Sequence, residues 1–218
     1  LSFKDNLQHL VLPGDYRVIK RSISKESSKR AIFIDIDGTL WPDNGPGTIL
    51  KNPKITDEII SELRKISSSG YLLIGFTNQT YFGYQDKLNF FKILNYRRKV
   101  HRLTKKVFLD AIYICHHHPE SSISYLRSEC PKRKPNSGLI KWAAEELNLE
   151  LHKSVVIGDR ITDIAAGQDS GIATRFLISN PKSLQWNISG RTTSSQCFTF
   201  HVSRSITDAL ESLKREMS

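Results

Sequence analysis

Cysteine is scarce in this chain: Cys115, Cys130 and Cys197 are the three in 218 residues. An odd, low count with no secretory pattern at the start argues against a disulfide scaffold and for a reducing, cytoplasmic setting. Long apolar runs are also missing. No stretch approaches the roughly 20 residues that span a bilayer, so no membrane partner is expected. Acidic residues are outnumbered, 22 against 32 lysines and arginines, for a formal net charge of +10. Much of that excess is local: Lys92, Arg97, Arg98, Lys99, Arg102, Lys105 and Lys106 follow one another with no Asp or Glu between them. Such a run suits an anionic partner, nucleic acid or a phosphorylated metabolite, or else forms a solvated helix face. The remainder is ordinary for a globular domain, 39% hydrophobic and 25% charged.

The chain divides into a lead-in or linker over residues 1–29 and one domain over 30–218. Ser22 to Lys29 is polar and weakly patterned, while Asp5 to Leu12 fits either packing on the domain or a missing neighbour. Leu1 stands where a Met would open a complete chain, as in a fragment or processed product, so a neighbouring domain before Leu1 is an expected partner. From residue 31 the patterning alternates. Strands are expected over Ala31–Ile36, Tyr71–Phe76, Ala111–Cys115, Val155–Ile157, Ile172–Ile178 and, at the edge, Cys197–Val202. Helices are expected over Asp57–Ser67, Gln85–Val107, Gly138–Leu147, Ile161–Ser170 and Ile206–Arg215. This alternation predicts an α/β fold with a doubly wound, Rossmann-like parallel sheet, whose ligands bind beyond the carboxyl ends of the strands.

Four short segments place chemistry at that edge. Asp35 and Asp37 end the first strand with one residue between them, a spacing that puts both side chains on one face. Asp35 is the candidate nucleophile for a phosphoryl group, and Asp37 the candidate acid for the leaving oxygen and base for the water that follows. Gly38 permits the tight turn and Thr39 is expected to hydrogen-bond across it, next to substrate. Thr77 and Asn78 end the next strand, where a hydroxyl and a backbone N–H hold phosphate oxygens. Lys134 neutralises phosphate charge and holds Asp35, with Arg133 expected to contact substrate. Asp159 ends a fourth strand, followed by Arg160, a further substrate candidate, and Asp163. Asp35, the Asp37 carbonyl and Asp159 offer hard oxygen ligands for Mg2+, with Asp163 in support. Each segment alone reads as turn or capping chemistry; together they point to a phosphatase.

The strings DIDGT, TNQ, RKP and GDRITD, in this order over about residues 30–178, resemble the haloacid dehalogenase (HAD) superfamily of aspartate-nucleophile phosphatases. The resemblance is closer to one branch, the histidinol-phosphate and heptose-1,7-bisphosphate phosphatases. It implies a minimal cap and a Mg2+-dependent phosphomonoesterase for a sugar phosphate or similar small metabolite, working through an aspartyl-phosphate. Members of the branch often hold a structural zinc with Cys-x-His and, further on, Cys-x-Cys. Cys115, His117 and Cys130 match three of those ligands, but Lys132 stands at the fourth. His116, His118 or water are the candidates to complete a Zn2+ site, and a metal-free loop is the other reading. After Gln79 the branch usually runs into a small Gly-rich stretch, whereas this chain has Tyr81, Phe82 and Tyr84, which either stack on a ring or pack beneath the helix. Two alternatives stay open: a nucleic-acid 3′-end phosphatase using the basic run, and a weakly active or non-catalytic domain of a larger polypeptide.

Overall fold

The computed structural model describes residues 15–19, 23, 29–45, 47–85, 90–106, 108–179 and 200–217. Its seven strands are β1 (Tyr16–Ile19), β2 (Arg30–Ile34), β3 (Tyr71–Asn78), β4 (Ala111–Cys115), β5 (Val155–Gly158), β6 (Thr174–Ile178) and β7 (His201–Ser203). They form one sheet in the order β1-β4-β3-β2-β5-β6-β7. All neighbours are parallel except β1, which runs antiparallel to β4. The described α-helices are α1 (Asp57–Ser68), α2 (Phe90–Lys106), α3 (Gly138–Leu147), α4 (Ile161–Asp169) and α5 (Ile206–Met217). None is long and apolar enough to cross a membrane.

Strand periodicity builds the two-sided core. In β2, Ile32 and Ile34 join the layer that includes Leu63, Ile66, Tyr96 and Leu210, while Ala31 and Phe33 join that of Leu139, Ile140, Ala143 and Ala166. Successive side chains point to opposite faces, so a strand covered by helices on both sides must be apolar throughout. Helix α1 starts where the Thr56 hydroxyl accepts from the Ile59 N–H at 3.3 Å, with Asp57 and Glu58 in the first turn complementing the helix dipole.

Several elements differ from the expected ones. Tyr16–Ile19, inside the expected lead-in, is an edge strand of the sheet. Gln85 is not helical: a 3-10 turn over Tyr81–Tyr84 precedes it, residues 86–89 lie outside the described residues, and α2 is described from Phe90. β3 extends to Asn78, because its pairing with β4 continues through Thr77 and Asn78. The last edge strand is described from His201, and residues 197–199 of its expected start lie outside the described residues. So do Asp5–Leu12 and most of the polar run Ser22–Lys29.

Candidate active site

The register of the central strands sets the floor of the site. Ile34 pairs with Gly75 on one side and Ile157 on the other. The Asp35 N–H is still tied to β5, donating to Ile157 O at 2.9 Å. Asp35 and Asp159 therefore leave the sheet side by side. A carboxylate oxygen from each of Asp35, Asp159 and Asp163 lies within 4.8 Å of the others, and all three residues are buried. Lys134 enters this acidic group from the opposite loop. Its Nζ stands 2.5 Å from Asp35 Oδ1 and 2.6 Å from Asp163 Oδ1, and donates to Phe76 O at 3.1 Å.

Burial works against the charge of Asp35, and the neighbouring Asp163 and Asp159 add to this, so its pKa stands well above the usual carboxylate range despite Lys134. Burial also opposes the charge on Lys134, but Asp163 and Asp35 outweigh it and hold the ammonium form. The other oxygen of Asp163 accepts from the Arg160 N–H at 3.0 Å and caps α4. Two glycines make this crowding possible. Gly38 lies at φ +97°, and a Cβ there would collide with the Asp159 carboxylate. A Cβ on Gly158 would overlap Asp163.

Asp37 is held from two sides. Trp41 Nε1 donates to its Oδ1 at 2.7 Å, and the Gln79 amide donates to its Oδ2. Burial raises the Asp37 pKa, and the hydrogen bonds from Trp41 and Gln79 restrain the rise. Gln79 also donates to Thr77 Oγ1 at 3.1 Å, and its main-chain carbonyl accepts from His116 Nδ1 at 2.7 Å. Burial pushes the His116 pKa down to about 4, so the ring is neutral at pH 7. It packs edge-on against Phe82 and Tyr96. Neither Trp41 nor the side chain of Gln79 carries a role in the sequence reading. Gln79 lies inside a recognised string, but the i to i+4 reach of Trp41 back to Asp37 has no signature of its own.

A cavity of about 170 Å³ opens over this floor, lined by Asp35, Asp37, Thr77, Asn78, Lys134 and Arg160 together with Asp43, Gly45, Gly47, Gln79, Thr80, Thr162 and Asp163. Three residues expected at the substrate have a different setting in the structure. The Thr39 hydroxyl is buried without a hydrogen-bond partner among the described residues, since main-chain bonds from Gly38 N to Trp41 O (2.8 Å) and Leu40 N to Ile36 O (3.1 Å) already close the turn. Thr39 lines a neighbouring groove instead of the cavity. Arg133 is likewise not among the lining residues; its guanidinium donates to His117 O at 2.9 Å and braces the loop. The Asn78 side chain exchanges two hydrogen bonds with the Lys134 backbone, 3.0 and 3.1 Å, and so fixes the loop that carries the lysine. Arg160 lines the cavity and pairs with Asp43 at 2.7 Å. Of the three aromatics after Gln79, Phe82 is fully buried and Tyr81 half-buried, so packing accounts for both; Tyr84 is exposed.

The cysteine-histidine loop lies beside this site. A side-chain atom from each of Cys115, His117 and Cys130 lies within 4.8 Å of the others, as their motif implies, and the fourth member of the group is Asp15. His116 is committed to Gln79, and His118 Nδ1 accepts from the Glu120 N–H at 3.1 Å. Asp15 has no sequence signal, being a lone acid 100 residues before Cys115.

A HAD-hydrolase-like family model matches residues 132–182. The D-glycero-beta-D-manno-heptose-1,7-bisphosphate 7-phosphatase of Haemophilus influenzae is 34% identical over 155 residues, 70% of this chain and 83% of that one. That of Haemophilus ducreyi is 30% identical over 158 residues, 72% of this chain and 86% of that one. The chain belongs to the HAD-like phosphatases. Solved HAD-like structures share its fold. A HAD-like protein from Mesorhizobium loti superposes with a TM-score of 0.71 at 22% identity, over 93% of this chain and 95% of that one. The D,D-heptose 1,7-bisphosphate phosphatase of B. bronchiseptica, solved with magnesium and phosphate, gives 0.66 at 21% identity, over 86% and 99%. As a HAD-like phosphatase, the chain is a phosphoric monoester hydrolase.

Proposed function

We propose that this HAD-like phosphatase is a Mg2+-dependent phosphomonoesterase of a sugar phosphate or similarly small phosphorylated metabolite, working through an aspartyl-phosphate on Asp35. One observation carries the reading. Two carboxylates from one strand end face one cavity, Asp35 paired with Lys134 and Asp37 held by Trp41 and Gln79. In this mechanism an Asp35 oxygen attacks phosphorus while the bond to the leaving oxygen breaks, and Asp37 gives that oxygen its proton. Asp37 then takes a proton from water, whose oxygen attacks phosphorus and releases Asp35. The Thr77 hydroxyl, the Asn78 N–H and Lys134 hold the phosphoryl oxygens, with Arg160 on the substrate side.

The donor set fits magnesium, since hard carboxylate oxygens of Asp35 and Asp159 converge within 4.8 Å. When bound by Asp35, the Asp37 carbonyl and Asp159, the ion supplies positive charge against the phosphoryl oxygens. Asp163 supports rather than ligates in this reading, because Lys134 and the Arg160 N–H engage its two oxygens. We further assign a structural zinc to Cys115, His117 and Cys130, and a reducing, cytoplasmic setting in keeping with the free, buried Cys115 and Cys130.

The heptose bisphosphate phosphatases among the relatives favour a sugar phosphate. The cavity, about 170 Å³, has room for a phosphoryl group and shares Asp43, Gly45 and Arg160 with a larger groove, and no described side chain of the basic run Lys92–Lys106 lines either. Two of those cations are engaged elsewhere: Arg97 lies 4.7 Å over the Tyr16 ring, and Lys99 donates to Leu50 O. Phosphate release with Mg2+ from sugar mono- and bisphosphates, histidinol phosphate and a 3′-phosphorylated oligonucleotide tests the reading. Turnover of a sugar phosphate that is insensitive to salt is expected. A salt-sensitive preference for the oligonucleotide would favour the nucleic-acid alternative. Failure on all of these and on an aryl phosphate would favour the non-catalytic one.

Trp41→Phe tests the acid role of Asp37. The lost hydrogen bond holds the Asp37 pKa down, so the variant's pKa rises further. An acid must carry its proton, and kcat/KM therefore falls as pH climbs through its pKa. The alkaline limb of the profile is expected to move to higher pH, with kcat lowered about ten-fold. An unmoved limb would remove Asp37 from the acid role.

A further inference from the structure

We propose that Asp15, immediately before edge strand β1, is the fourth ligand of a zinc centre made of two cysteines, one histidine and one aspartate, and that Lys132 completes the centre as its charge partner rather than interrupting it. This rests on the reading that the cysteine-histidine loop holds zinc.

The atoms are already arranged for it. Cys115 Sγ stands 3.7 Å from His117 Nδ1. Asp15 Oδ1 is 3.1 Å from His117 Nδ1 and 3.9 Å from Cys130 Sγ. Zinc bonds of about 2.0 Å to N or O and about 2.3 Å to S, set tetrahedrally, give edges of roughly 3.3–3.8 Å. The observed separations fall close to that range. Two thiol sulfurs, an imidazole nitrogen and a carboxylate oxygen form a donor set for zinc rather than for magnesium or calcium.

Lys132 explains how an acid can take the place of a thiolate. The two Asp15 oxygens have different partners: Oδ1 faces the cysteines and histidine, while Oδ2 lies 3.1 Å from Lys132 Nζ. The ammonium is fixed from the other side by the Trp142 ring, 4.2 Å from the centroid. Two thiolates and a carboxylate exceed the charge of the ion by one, and Lys132 balances it. The ion pair also orients the carboxylate, as partners of metal ligands do. The lysine that blocks the expected ligand position is thus held against the residue that replaces the ligand.

The centre would join β1, antiparallel at the sheet edge, to the loop bearing Arg133 and Lys134. Arg133 donates to the carbonyl of the ligand His117, so the centre braces the backbone that presents Lys134 to Asp35.

The full chain is tested by zinc analysis after dialysis and by Co2+ substitution. About one zinc per chain is expected, and the cobalt form should show thiolate-to-metal charge-transfer absorption. Asp15→Ala is expected to weaken zinc binding at least about ten-fold and to change the cobalt spectrum while keeping the thiolate band. Asp15→Asn keeps the side-chain size should the alanine variant misfold, and is expected to weaken binding in the same direction. Lys132→Cys added to Asp15→Ala is expected to restore zinc through a different fourth ligand. Zinc-free wild type with no cobalt spectrum overturns the centre. Equal affinity in wild type, Asp15→Ala and Asp15→Asn overturns the assignment of Asp15. Phosphate release is followed separately: zinc-loaded protein without activity bears on the cavity, not on this centre.

Discussion

Asp35→Asn is expected to lower phosphate release by at least about 10⁴-fold, roughly 5 kcal/mol of barrier at 1.36 kcal/mol per factor of ten. The amide cannot attack phosphorus, and the other acids near it are engaged: Asp163 by Lys134 and the Arg160 N–H, Asp37 by Trp41 and Gln79, and Asp43 by Arg160. Its effect on stability has the opposite sign. The Asp35 pKa is raised by burial and by its acidic neighbours. A carboxyl with a raised folded-state pKa stabilises the fold when protonated, and that contribution is lost as pH rises through the folded value. Burial and the acidic neighbours thus oppose the ionised form of Asp35, and a neutral amide removes that cost. With EDTA, the variant is expected to melt at or above the wild-type Tm, and Mg2+ should raise its Tm less than it raises that of wild type. Activity above a hundredth of wild type would remove Asp35 as the nucleophile.

Lys134→Met should show the reverse pattern. The lysine is the cation between Asp35 and Asp163, and all three are buried. Removing one partner of a buried ion pair costs about 3–5 kcal/mol, because the remaining charge stays uncompensated. Methionine keeps the bulk against Phe76, whose ring Nζ approaches at 4.3 Å, so the loss reports charge rather than a cavity. The expected result is a loss of that size in urea denaturation with EDTA. Part of it should return with Mg2+, which supplies positive charge beside the same carboxylates. Activity should fall by about 10²–10³, as for loss of one preorganised donor to developing charge. A variant within about 1 kcal/mol of wild type in EDTA would show that Lys134 is not what holds the acidic cluster together.

Both substitutions fall on residues that are legible in the sequence. Asp35, Asp37 and Asp159 follow buried strands, Thr77 lies at the end of one and Lys134 in a punctuated turn, and parallel strands deliver their ends to one edge. Residues that act through their neighbours are harder to find. Trp41 reaches Asp37 from four residues on, past a turn closed by main-chain bonds, so a hydrogen bond expected of Thr39 is not needed there. Arg133 reads as a substrate contact from its place beside Lys134, yet the direction of its side chain depends on how the histidine loop folds back. Phe82 looks equally suited to stacking or packing until Tyr96 and His116 enclose it.

The largest gap lies at the beginning of the chain. Tyr16–Ile19 is short, with its residues half-buried or exposed, and lacks the continuous apolar run that marks the inner strands. An edge strand is covered on fewer sides, so its composition is weakly constrained and reads as linker. Asp15 escapes for the same reason, since its meaning depends on antiparallel pairing with a strand far along the chain, at Ala111–Cys115. Period, turn chemistry and strand ends are local properties, and they are enough to give the α/β class, the order of the inner elements and the carboxylates of the candidate site. Which side chains support those carboxylates is a tertiary matter, from Trp41 and Gln79 on Asp37 to Asn78 on the backbone of Lys134. So is the placing of Asp15 beside Cys115, because such contacts join segments whose approach no local pattern encodes.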